Sequence, residues 1–285
     1  MKTKIKKIVI IAFFVVIALT LTMYWFDQYN YYFSSAPAND YSSYGLPNCL
    51  EYGNVALIKI HGDISTYLPT PVSLEGVDST PPDSVSSEDI IAQIDTAEKD
   101  DYIDAVIIDI DSYGGSPVAS EEIMNAVKKM SKTTIAVIGE GGVSGAYLIA
   151  TGADKIYASE MSDVGSIGVT MSYLDYSQTN KQDGIIYQQL SSGKFKDTGN
   201  PDKILTAEEK TLLMRDIQIL HEVFIKKVSE NRKLDIEKVR KLADGSTMLG
   251  VAAKENGLID EIGNLDSAKI WLLSQFQIES TLCVY

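Results

Sequence analysis

An α/β fold built on a mostly parallel sheet is what this chain predicts, and three observations carry that reading. Short, continuous apolar runs recur at residues 55–60, 105–110 and 134–138, the pattern of strands buried on both faces. Stretches of helical periodicity separate them, which implies right-handed crossovers between parallel neighbours. Glycine-rich turns, Gly114-Gly115 and Gly141-Gly142, follow the second and third runs. Sites in such sheets form where strands end and helices begin, so the two turns are expected to lie near one another.

The elements follow in order. Lys2, Lys4, Lys6 and Lys7 precede residues 8–25, which carry no charge and end in Met23-Tyr24-Trp25-Phe26. That length spans a hydrocarbon core, and a bulky aromatic end suits a membrane interface better than a cleavage site. The expectation is an uncleaved transmembrane anchor over 1–26 with the N-terminus cytoplasmic and the rest extracytoplasmic. A stalk rich in Tyr, Ser, Asn and Pro follows over 27–53, then a domain over 54–275 and a tail over 276–285.

Within the domain, the run at 55–60 reads as a strand ended by Gly62, followed by a loop holding Pro69, Pro71, Pro81 and Pro82. Ser86 with Asp89 resembles a capping box opening a helix through Ile90, Ile91 and Ile94. A second strand over 105–110 stops at Ser112, a helix covers about 120–130, and a third strand over 134–138 runs into the segment around Ser144. Residues 155–158 make a further short strand. The C-terminal part is more helical: Thr206 and Glu209 form a capping-box pattern before the stripe Leu213, Ile217, Leu220, Phe224 and Val228. A shorter helix over about 235–242 ends near Gly245, and another over about 252–256 stops at Gly257. These read as covering and association elements.

Charge narrows the function classes. The chain carries −14 at neutral pH, and without residues 1–25, which hold four lysines and no acid, it carries −18. Nucleic acid is therefore excluded as a partner. The two cysteines, Cys49 and Cys283, are compatible with a bridge in an oxidising compartment or with two thiols. No metal-ligand spacing occurs, and no cofactor is expected.

The chemistry centres on Ser144, set among Gly141, Gly142 and Gly145 at the mouth of an apolar helical run. A serine hydroxyl is a weak nucleophile without a base in hydrogen-bond reach. Only His61 and His221 exist, which turns attention to lysine. The plain alternative is that Ser144 is a helix N-cap. Against this, Gly145 lets a substrate backbone approach, and its N–H stands at a helix N-terminus where a negative oxygen is stabilised. The spacing is not that of a Gly-x-Ser-x-Gly elbow, because Ala146 stands at the last position. The second turn, Asp111-Ser112-Tyr113-Gly114-Gly115-Ser116, offers N–H groups to complete an oxyanion hole, unless it is only a tight turn.

Together these motifs resemble a family. The strand ending in Asp-Ser-x-Gly-Gly-Ser, the Ser-Gly-x-Tyr-x-Ile-Ala segment, residues 153–158, Val164-Gly165-Ser166-Ile167-Gly168-Val169, residues 192–197 and residues 252–263 are similar to the membrane-bound signal peptide peptidases of the SppA type. The resemblance covers about residues 55–270. It implies a ClpP/crotonase-like fold of repeated β-α-β units and a Ser/Lys dyad peptidase. By position, Ser144 matches the nucleophile, Lys196 the general base, Ser166 a serine that hydrogen-bonds the lysine, and the N–H groups of Gly115 and Gly145 the oxyanion hole. Tyr113 departs from the usual proline and Val143 from a small residue, which alters the fit near the substrate. The resemblance also implies homo-oligomeric rings, a dyad completed between subunits, and signal peptides and other short apolar peptides as substrates.

A lysine acts as a base only when burial or neighbouring positive charge keeps it neutral. Read as an extended segment, residues 194–197 put Lys196 inward and Asp197 outward, with Lys194 as the rival on the inward face. Three other functions compete: an inactive peptide-binding scaffold of the same fold, a Ser/His/Asp hydrolase using His221, and acyl-CoA chemistry on the same fold.

Overall fold

The computed structural model describes residues 48–50, 52–68 and 84–285. The expected anchor and most of the expected stalk lie outside them. Among the described residues no helix is long and apolar enough to cross a membrane.

The apolar runs become the strands β1 (Val55–Ser65), β3 (Ala105–Gly115) and β4 (Thr133–Val143). They pair in parallel, Ile58 opposite Ile108 and Ile108 opposite Ala136. With β2 (Ser84–Ser86), β5 (Lys155–Ala158) and β8 (Glu261–Ile262) the order is β2-β1-β3-β4-β5-β8. The even-numbered residues of β1, Ala56, Ile58 and Ile60, pack in one core with Ile90 and Ile94 of helix α1 (Ser87–Lys99) and Ile123 and Val127 of α2 (Pro117–Lys129). Leu57, Ile107, Ile135 and Tyr157 on the other face are buried too. That two-sided burial is why these runs lack alternation.

Each of the three long strands runs five residues past its apolar run, which corrects the expected ends at Gly62, Ser112 and Ile138. Gly62 does not end β1. It takes φ 73° at a bulge between His61 and Asp63, and pairing with β3 resumes at Gly114. These extensions form the upper part of the sheet. There β4 leaves β5 and pairs with β6 (Asp163–Gly165), which in turn runs antiparallel to β7 (Thr247–Leu249). This change of partner carries the end of β4 to Ser144, alongside β6.

Thr206 and Glu209 exchange both bonds of a capping box, as expected, whereas at Ser86 only half of the expected box forms: Ser86 Oγ accepts from Asp89 N at 3.0 Å, and the Asp89 carboxylate takes the Ser86 hydroxyl at 2.6 Å in place of the Ser86 N–H. The first turn of α2 starts earlier than the expected residue 120, because Ser116 caps it and Pro117 takes its first position. Next come α3 (Gly145–Ala150) and the isolated α4 (Ser177–Gln182), followed by α5 (Ala207–Arg232), α6 (Ile236–Leu242), α7 (Gly250–Asn256) and α8 (Leu265–Phe276). Apolar burial on α5 is confined to its C-terminal half, at Phe224, Ile225 and Val228, while Leu220 is exposed. Beneath α8, Lys155 Nζ lies 5.5 Å from the Tyr157 ring centre and 5.2 Å from that of Trp271.

The chain ends in β9 (Leu282–Cys283), which adds to β1 with Ala56 opposite Cys283. That register brings Cys283 to Cys49, and the two form a disulfide. The alternative of two thiols is thereby settled for the bridge.

Candidate active site

Ser144 sits at the junction of β4 and α3. Its N–H donates to the Gly165 carbonyl at 2.8 Å, continuing the β4–β6 pairing, and its carbonyl accepts from Leu148 N at 3.0 Å, starting the helix. Serving both elements forces φ 53° and ψ −126° on a residue with a side chain, a conformation that costs about 1–3 kcal/mol. The N-cap alternative fails at the side chain: Ser144 occupies the cap position, yet its hydroxyl makes no capping bond. Every other residue from Gly141 to Ala150 is buried, and Ser144 is partly exposed.

The two glycine turns meet, as expected. A methyl group on Gly114 would lie 2.8 Å from Gly145 N and 3.0 Å from Ser144 Cβ, and one on Gly145 would lie 2.3 Å from Ser120 Oγ and 3.5 Å from Gly115 N. The backbones thus approach as only glycine allows. Gly115 is pinned against β1, where a methyl group would meet Ile64 O at 2.1 Å. Ser112 Oγ fixes the turn by donating to Gly62 O and accepting from Gly114 N. Tyr113 is exposed and lays its ring over Gly141, and Val143 is buried.

Ser144, Gly115, Gly145 and Ser166 all line one cavity of about 370 Å³. Its walls are mostly apolar, from Val118 of α2, Leu148 of α3, Val169, and Val223 and Phe224 of α5. Ser166 also has positive φ, 48°, and its hydroxyl donates to Gly245 O at 3.0 Å.

Lys196 is not brought there. It is exposed and absent from the cavity wall, and its side chain has no partner among the described residues. The extended reading of its segment is also corrected. Residues 194–199 form turns, with Lys196 N donating to Gly193 O and Thr198 N to Phe195 O. Asp197 is tied inside this turn, accepting from Tyr187 Oη at 2.6 Å and from Asn200 Nδ2 at 3.0 Å. The Tyr187 and Asn200 bonds hold its carboxyl below the usual range, while the phenol of Tyr187, donating to Asp197, is pushed up to about 12. Lys194, the rival, is exposed and paired with Glu208 at 2.7 Å.

His221 does not line the cavity either, and its Nε2 is enclosed without a hydrogen-bond partner. The Ser/His/Asp alternative has no geometry here. His61 instead meets Asp109 at 3.2 Å. Among the described residues no cluster of His, Cys, Asp or Glu has metal-holding geometry.

Sequence reasoning missed the residues that hold α3 in place. Tyr147 is fully buried and donates to Leu258 O at 2.8 Å, and burial raises its phenol above the ordinary value. Asp260, two residues on, takes a bidentate pair from Arg232 at 2.7 and 3.1 Å and also accepts from Ile156 N. The Gly-Leu-Ile-Asp stretch at 257–260 is therefore a bracket for the serine's helix. Lys227 is another omission. It is the lysine that does line the serine's cavity, ion-paired with Glu121 at 2.8 Å.

A model of Clp protease matches residues 79–164. A solved mutant of ClpP1 from Listeria monocytogenes aligns over 75% of this chain and 94% of its own, with 17% identity and a TM-score of 0.47. The chain is 38% identical over 177 residues to a candidate protease of Methanocaldococcus jannaschii, covering 61% of this chain and 57% of that one. It is 32% identical over 184 residues to a candidate signal peptide peptidase SppA of Enterococcus faecium, covering 64% and 54%. It is 31% identical over 232 residues to Protease 4 of Haemophilus influenzae, covering 78% and 35%. The chain thus spans little more than half the length of the first two relatives. A model of peptidase family S49 matches residues 126–279, more than half of the chain and the whole stretch from the serine's strand to α8, and the chain belongs to that family.

Proposed function

We propose that this chain is a membrane-anchored serine endopeptidase that cleaves signal peptides and other short apolar peptides through an acyl-enzyme. Ser144 attacks the peptide carbonyl, the N–H groups of Gly115 and Gly145 hold the oxyanion, and neutral Lys196 takes the serine's proton, oriented by the Ser166 hydroxyl. Water then releases the acyl group. One observation carries the reading: a serine held at positive φ, its hydroxyl withheld from the helix cap, opens onto an apolar cavity beside two closely packed glycine N–H groups.

The exposure of Lys196 supports a dyad completed between copies. Its segment belongs to an excursion over 170–204 rich in exposed apolar side chains, among them Leu174, Ile186 and Leu190. Packing against a second copy would bury these groups and strip water from the lysine, which is the condition for its neutrality. The anchor over 8–25 holds the domain at the extracytoplasmic face of the membrane, close to apolar peptides leaving the bilayer.

The lack of a free base in the single-chain cavity favours one rival, a peptide-binding protein that does not cut. Hydrolysis of a peptide panel by the full chain, compared with Ser144→Ala and Lys196→Ala, separates the two. Turnover lost in both variants supports the dyad, and activity regained on mixing them places its halves in different copies. Equal turnover by the unaltered chain and Ser144→Ala overturns the proposal.

A further inference from the structure

Two charged side chains close the apolar cavity beside Ser144, and the proposed reaction uses neither. On α5, Leu220, Val223, Phe224 and Lys227 recur at helical spacing and so share the face that lines the cavity. Val118 and Glu121, three apart on α2, line the facing wall. Lys227 Nζ reaches Glu121 across the space between the helices at 2.8 Å, with the lysine side chain 21% and the glutamate side chain 45% exposed. Further along the same helices, Asn231 Nδ2 meets Met124 Sδ at 3.3 Å. The helices are therefore joined just beyond the ion pair. The cavity thus carries the serine, aliphatic and aromatic walls, and a paired carboxylate and ammonium in one lining.

We infer that the Glu121–Lys227 pair selects the substrate side chain that enters beside Ser144, favouring an apolar body with an uncharged polar tip, such as tyrosine or glutamine. The inference rests on Ser144 being the nucleophile. A hydroxyl or amide tip donates to the Glu121 carboxylate and accepts from the Lys227 ammonium without disturbing their balance. A lysine or glutamate tip must compete for a partner already matched, leaving one of three charges uncompensated in a partly buried site. Such a mismatch at a built polar site discriminates more strongly than a change of one methylene. The ion pair also fixes the part of Lys227 itself: its Nζ is engaged by the Glu121 carboxylate, which makes it a selector of substrate and leaves the base to come from elsewhere.

The test uses the full chain and fluorogenic peptides that differ only in the residue before the scissile bond: Tyr, Gln, Glu or Lys. The unaltered protein should cleave the Tyr and Gln peptides with kcat/KM at least about tenfold above the charged ones. Lys227→Met frees Glu121 and should raise the Lys peptide relative to Tyr, and Glu121→Gln frees Lys227 and should raise the Glu peptide. A folding defect lowers all four rates together, so opposite shifts in the two variants arise only from selection. An unchanged ranking in both variants, with hydrolysis still dependent on Ser144, overturns this inference and leaves the peptidase reading standing. Loss of every rate in Lys227→Met with Lys196→Ala still active makes Lys227 the base and overturns it as well. If the unaltered chain cleaves none of the peptides, both readings fall.

Discussion

The half of the molecule that carries Ser144 and the excursion that carries Lys196 are built on opposite principles. Around Ser144 the chain is enclosed: β4 and α3 are almost wholly buried, and Tyr147, Leu258, Arg232 and Asp260 brace the helix from behind. From residue 170 to 204 hardly any side chain is buried, and the order is local, through the Tyr187–Asp197–Asn200 bonds and the Asn180–Asp202 bond. One region holds its geometry through the core. The other has no core of its own, so it holds its shape by polar bonds and offers its apolar side chains outward. A reaction that needs both regions is therefore sensitive to assembly in a way that the fold is not.

That contrast can be broken at several points. Ser144→Ala should lower kcat for peptide hydrolysis by a factor on the order of 10⁶ while leaving the thermal midpoint equal or higher, since alanine removes the reacting group and keeps the backbone. A midpoint that falls with it would show the hydroxyl to be structural. Next come matched glycine substitutions. Gly115→Ala drives a methyl group onto Ile64 O and should cost about 3 kcal/mol or more in urea unfolding. Gly193→Ala meets nothing within 4 Å and should stay within about 0.5 kcal/mol.

Apolar truncations divide in the same way. Ile108→Ala in the core should cost about 2–5 kcal/mol. Leu190→Ala, at a side chain 97% exposed, should leave unfolding of the isolated chain nearly unchanged and show its effect in sedimentation, as weaker association. If Leu190→Ala sediments as the unaltered protein does, the excursion's apolar side chains are not what copies share.

The smallest effect concerns the excursion's return to the body. Glu209 is held down to about 2, first by Lys203 and then by the Thr206 N–H and hydroxyl. A folded value below the unfolded one contributes stability above about pH 4.5 that is lost as pH falls towards 2. Amide exchange at the start of α5 should therefore quicken over that window, and Glu209→Gln should show the faster exchange already at neutral pH.

The same contrast governs what was legible in the sequence. Residues 55–60, 105–110 and 134–138 announce buried strands because burial on both faces demands uninterrupted apolar side chains. Their continuations do not: Ser112 to Gly115 and Gly139 to Gly142 look like turns, since glycine and polar residues there serve close backbone approach. Strand β6 and helix α4 are too short and too polar for any period to show. Ser144 stands out by its glycines, but its withheld cap bond is a matter of dihedral angles. Lys196 comes only from the family resemblance, and its extended reading fails because Tyr187 and Asn200, remote in pattern, fold Asp197 into a turn. The Cys49–Cys283 bridge depends on the register of β9 against β1 across a separation of 234 residues, which spacing alone never reveals.

That bridge has a topological meaning. By joining two points near the ends of the described residues it turns the backbone between Cys49 and Cys283 into a covalent circle. One cut in a circle opens it without producing two molecules. A peptidase that nicks its own exposed excursion between residues 183 and 200 would thus stay one disulfide-linked molecule, heavier only by the water added, with new ends beside Lys196. Only on reduction would two fragments part.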